Sequence, residues 1–66
     1  MMPAVPDPRE RPTISVPEAG EFFGLKPAAS YKAAERGEIP TIRVGRALKV
    51  PTAKFLDKLG LLGLNP

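Results

Sequence analysis

"GEIPTIRVGRALKVP", residues 37–51, decides how the chain folds. Gly37 ends whatever helix precedes it, and Ile39-Pro40 cannot prolong that helix because proline lacks an N–H and restricts its predecessor. Thr41 to Val44 and Leu48 to Val50 then alternate as strands do, with Gly45-Arg46-Ala47 predicted as a three-residue hairpin loop. That loop length sets Val44 opposite Leu48, Arg43 opposite Lys49 and Ile42 opposite Val50. The apolar pairs would bury one face of the ribbon. Arg43 and Lys49 would stand side by side on the other face, with Arg46 at the tip. Like charges directly opposite across a strand pair are unfavourable by up to about 1 kcal/mol. A phosphate between them would turn that cost into a charge-assisted contact. Gly45 and Ala47 keep the tip narrow. The competing reading is a solvated hairpin whose long cationic side chains splay into water.

Upstream, Pro27 suits the first turn of a helix from Ala28 to about Arg36. Before it, Ser15-Val16-Pro17-Glu18 fits a capping box, with Ser15 as N-cap and Glu18 reaching back to its amide. Val16, Ala19, Gly20 and Phe23 fall on one stripe of that first helix, which Gly24 ends. Gly20 inside a helix costs roughly 1 kcal/mol relative to alanine, which close packing against another helix would explain. Two short helices joined by a few residues have the shape of a helix-turn-helix. Residues 1–12, with four prolines, read as an extended, mobile tail.

Downstream, Pro51-Thr52 opens a third helix in which Phe55, Leu56 and Leu59 line one side, and Gly60 ends it. Residues 61–66, with Leu61, Leu62 and Leu64, form a short apolar tail. The expected order is helix, helix, hairpin, helix: mainly α with a small β-hairpin, one domain over residues 13–60. Its core would pool Ile14, Val16, Phe22, Phe23, Leu25, Ile39, Ile42, Val44, Leu48, Val50, Phe55, Leu56 and Leu59.

Composition narrows the function. Sixty-six residues allow one small core. The chain has no cysteine and no histidine, so no disulfide framework, thiolate or imidazole metal site, or histidine general base is available. Tyr31, the one tyrosine, lacks activating partners for nucleophilic work. An enzyme is not expected, nor is a cofactor or small-molecule ligand. No apolar run approaches the roughly eighteen residues of a membrane span, and the N-terminus lacks a signal-peptide core. A soluble, cytoplasmic protein is expected. The net charge is +3, but from Lys26 to Lys49 six cations face only Glu35 and Glu38. A basic middle on a small domain points to a polyanionic partner.

On the second helix, Lys26, Ser30, Lys32 and Arg36 are expected on the outer side, while Tyr31 and Ala34 face inward, Tyr31 as a core aromatic with a wet hydroxyl. The helix begins Pro27-Ala28-Ala29, which cannot make bidentate hydrogen bonds to base edges. Ala28 and Ala29 can touch thymine methyls, and Ser30 is undiscriminating. Specificity should therefore lean on DNA shape, phosphate contacts and protein assembly.

"ISVPEAGEFFGL", "YKAAERGEIP" and "IRVGRALKVP", taken in succession, resemble the excisionase and MerR-like winged helix-turn-helix domains. The resemblance runs from about Thr13 to Leu59. It implies a DNA-binding module with the second helix in the major groove and the hairpin as a wing against the adjacent minor groove or backbone. Tyr31 and Lys32 match the family's tyrosine-plus-cation pair; Arg43, Gly45 and Arg46 match the wing. Ala28 and Ala29 stand where polar residues are common, and Ser30, Ala33 and Ala34 stand where larger apolar ones are. Phe22 and Phe23 would fill the volume. The DNA-binding set is thus Lys26, Ala28, Ala29, Ser30, Lys32, Arg36, Arg43, Gly45, Arg46 and Lys49. The resemblance implies a phage or mobile-element excisionase, a recombination directionality factor in a bacterial host. Such a protein binds adjacent double-stranded sites cooperatively, bends the DNA and directs an integrase toward excision. Its partners would be DNA, the integrase and further copies of itself. A small MerR-like transcriptional regulator without an effector domain, or a protein-interaction adaptor, would use the same fold. The apolar tail would contact a protomer or integrase, or pack back on its own core.

Overall fold

The structure, a computed structural model, describes residues 5–60. The apolar tail at 61–66 lies outside them. The order is β1 (Thr13–Ser15), α1 (Val16–Glu21), α2 (Pro27–Glu35), β2 (Ile42–Val44), β3 (Ala47–Pro51) and α3 (Thr52–Leu59). Three helices thus pack with one antiparallel sheet of strand order β1-β3-β2.

Local signals account for the helices. The Ser15–Glu18 capping box forms: Glu18 N–H donates to Ser15 Oγ at 3.1 Å and Ser15 N–H donates to Glu18 Oε1 at 3.1 Å. Arg11 Nη2 adds a 2.7 Å contact to the same carboxylate. Schellman-type pairs close the next two ends. Gly24 N–H donates to Glu21 O and Leu25 N–H to Gly20 O; Gly37 N–H donates to Ala34 O and Glu38 N–H to Ala33 O. The first amide of α3 has no side-chain cap; Thr52 N–H donates instead to Pro12 O at 2.9 Å. Nor is the segment before β1 simply extended. Asp7 O accepts the N–H groups of Glu10 and Arg11, and Asp7 Oδ1 accepts that of Arg9 at 2.9 Å, the local turn an aspartate favours.

The sheet differs from the expected hairpin in two ways. First, β1 is a third strand, with Ile14 opposite Val50. Second, the hairpin register is Ile42 opposite Lys49, Arg43 opposite Leu48 and Val44 opposite Ala47. The loop is two residues, Gly45-Arg46, not three. Gly45 takes φ +61° at the first central position, while Arg46 keeps a negative φ, the pattern of a type II′ turn. Removing one loop residue slides β2 against β3 and turns its side chains to the other face. Arg43 and Lys49 are therefore not neighbours, and the like-charge cost expected between them does not arise.

The core consists of Ile14, Val16, Ala19, Ala33, Ala34, Ile39, Val50, Phe55 and Leu56, with Phe22, Leu25, Leu48 and Leu59 packed around it. Three expected members lie outside. Ile42 and Val44, 44% and 59% exposed, follow from the register, and Phe23 is 47% exposed beyond the end of α1. Phe22 and Phe23 still meet Phe55 edge-on, with centroids 5.6 and 6.0 Å away. Alanines replace the lost volume, because α1 and α2 approach closely. A methyl at Gly20 would lie 1.7 Å from Ser30 Oγ, so only glycine fits at this crossing. The expected reason for a glycine inside α1 is the one observed.

Candidate nucleic-acid interface

The hairpin carries the clearest electrostatic feature. From Ile39 to Leu56 the chain contains Arg43, Arg46, Lys49 and Lys54 and no acidic residue. In the observed register, Arg43 shares a face of the ribbon with Leu48, while Lys49 shares the opposite face with Ile42, Val44 and Ala47. Arg46 occupies the turn. The three cations thus mark both faces and the tip of a narrow ribbon, and all three are exposed. The ion pairs among the described residues are Arg9–Asp7, Arg11–Glu18 and Arg36–Glu38, so none involves the hairpin. Gly45 adds no side chain to the tip. Ile42 and Val44 give the Lys49 face an apolar strip.

The strand β3 fixes this ribbon at its base. Val50 is fully buried opposite Ile14, and Leu48 packs on the core, so two side chains of β3 hold the hairpin to the body. The tip projects from that anchor.

The helix α2 presents a second surface. Lys26, Ala28, Lys32 and Arg36 are exposed and Ala29 is half-buried, as expected for its outer side. Ser30 is not on that side; it is fully buried, with Oγ donating to Lys26 O at 3.0 Å. Ser30 and Ala34 are four residues apart and share a helical stripe, so they cannot face opposite ways. Tyr31 is correspondingly outside, at 47% exposure, beside Lys32. The ring expected in the core is thus at the surface, together with a hydroxyl that can donate or accept a hydrogen bond. Glu35, four residues on, is exposed on the same side. Arg36 is partly committed, its Nη2 lying 3.0 Å from Glu38 Oε1. Among the described residues, Lys26 and Lys32 have no acidic partner within salt-bridge distance.

No group of three acidic side chains among the described residues converges as a metal site. None of the described helices is long and apolar enough to cross a membrane. No family model, curated protein or solved structure matches the chain.

Proposed function

We propose that the chain is a winged helix-turn-helix DNA-binding protein of the excisionase kind, in which α1 and α2 form the helix-turn-helix and the β2–β3 hairpin is the wing. The observation that carries this reading is the acid-free hairpin with cations on both faces and at its tip, none of them ion-paired among the described residues. A DNA minor groove is about 6 Å wide between two phosphate walls. A ribbon entering it meets negative charge on both sides, so cations on both faces suit that position better than a single charged face would. Neutralising phosphates releases condensed counterions, which makes the affinity salt-dependent.

The surface of α2 supports docking more than readout. Pro27, Ala28 and Ala29 offer no side-chain hydrogen-bond donors to base edges, whereas Tyr31 and Lys32 are exposed and suited to phosphate. Specificity then comes from DNA shape and from adjacent copies bound side by side, which add free energy without new base contacts. The integrase is the remaining partner of this reading.

Fluorescence anisotropy with duplex DNA over a salt series tests the wing. Arg46→Ala should weaken binding to all sequences alike and reduce the salt slope by about one. An unchanged slope removes the hairpin from the interface. Integrase-dependent excision in vitro, with and without the protein, tests the excisionase role; a promoter-bound protein with no effect on excision would be a regulator instead.

A further inference from the structure

An open groove of about 410 Å³ lies on the body of the protein, away from the hairpin cations, none of which lines it. Its apolar wall is Phe23, Leu25, Ala33, Ile39 and Leu59. Arg36, Glu38 and Lys58 form the rim. Arg36 is partly committed to Glu38 at 3.0 Å, and Lys58 Nζ donates to Gly37 O at 3.2 Å. The apolar wall between them suits an apolar occupant. Phe23, nearly half exposed within it, is the side chain with most to gain from being covered.

We propose that this groove receives the chain's own residues 61–66, Leu-Leu-Gly-Leu-Asn-Pro. The segment has no charged side chain and holds three of the protein's seven leucines. Its attachment point adjoins the groove, since Leu59 lines the wall and Gly60 follows directly at the end of α3. The four residues after Gly60, Leu61 to Leu64, reach about 13 Å when extended, a length on the scale of a groove of about 410 Å³. A segment tethered at the groove edge competes at high effective concentration with the same segment of a second copy, so occupancy within one chain prevails.

The absence of cysteine permits a clean test on the full chain. Asn65→Cys, labelled with a nitroxide, should broaden the amide signals of Phe23 and Leu25 more than those of other surface positions. Broadening no stronger there than elsewhere overturns the proposal. A mixture of labelled chain and isotope-enriched unlabelled chain should show no such broadening; its appearance assigns the groove to a second copy and overturns occupancy in cis. The triple variant Leu61→Ser/Leu62→Ser/Leu64→Ser should shift the resonances of Phe23, Leu25 and Ile39 and lower Tm by roughly 5 °C or more. Unchanged shifts and Tm refute it independently of the label.

Discussion

Gly20→Ala should destabilise this protein although alanine is the better helix former. The new methyl carbon would lie 2.5 Å from Ser30 Cβ and 1.7 Å from Ser30 Oγ. Carbon atoms prefer separations of about 3.5–4.0 Å, so α1 and α2 must part by roughly 1 Å. Rotating the serine hydroxyl cannot help with the Cβ, which is fixed to the α2 backbone. Overpacking of this kind costs about 1–3 kcal/mol, and a contact this short belongs at the upper end. Helix propensity returns about 1 kcal/mol, leaving a net loss of about 2 kcal/mol. A domain of this size has about 3–10 kcal/mol of stability in total, so the variant stays folded with Tm lowered by roughly 10 °C. Thermal and urea unfolding followed by circular dichroism measures it. Adding Ser30→Gly removes both clashing atoms and leaves Ser30 Cα at 3.4 Å, so the double variant should recover stability despite a second helical glycine. A Gly20→Ala chain more stable than the parent would show that the helices are not in close contact and refute the reasoning.

The other predictions concern separate parts of the fold. Val44→Thr should change stability by less than about 0.5 kcal/mol, because Val44 is 59% exposed; a loss well above about 1 kcal/mol in urea melts would restore the three-residue loop register. Thr52 Oγ1 is buried without a hydrogen-bond partner, so Thr52→Val should leave the urea midpoint unchanged or raise it, and a clear drop would reveal a bond to that hydroxyl. The backbone N–H of Ser15, then the Arg11 guanidinium, hold the Glu18 carboxyl below its ordinary 4.5. Its contribution is therefore present above that value and lost as pH falls through the lowered folded one. Glu18→Gln, which keeps an acceptor for the Ser15 amide, should flatten this acid limb of the stability profile; an identical limb would place the pH dependence elsewhere.

Short-range signals made the helices legible. Ser15 with Glu18, Pro27, and the glycines at 24, 37 and 60 lie within a turn of the ends they define, and the helices fall within a few residues of expectation. The sheet was less legible because its decisive contacts are long-range or depend on one residue. Thr13–Ser15 is too short to show alternation, and it becomes a strand only because Val50 and Pro51 return beside it. Gly-Arg-Ala fits a three-residue loop and a two-residue one equally well, yet the choice decides whether Arg43 or Ile42 faces Lys49. On α2, the polarity of Ser30 argues for the outside, although its spacing to Ala34 requires the inner stripe. The aromatic ring of Tyr31 argues for the inside, although its position one residue along turns it out. The cations themselves could be found from sequence, but their arrangement around the ribbon could not.

Strand β3 is held on one side by β1, and an isolated two-stranded ribbon is marginal in water. The hairpin thus borrows its rigidity from three residues that lie more than thirty positions before their partners in β3. If the hairpin is the DNA-binding wing proposed above, substitutions at Ile14 should appear among the strongest alleles in a genetic screen for lost binding. They would carry the phenotype of a missing arginine while leaving every charge in the protein intact.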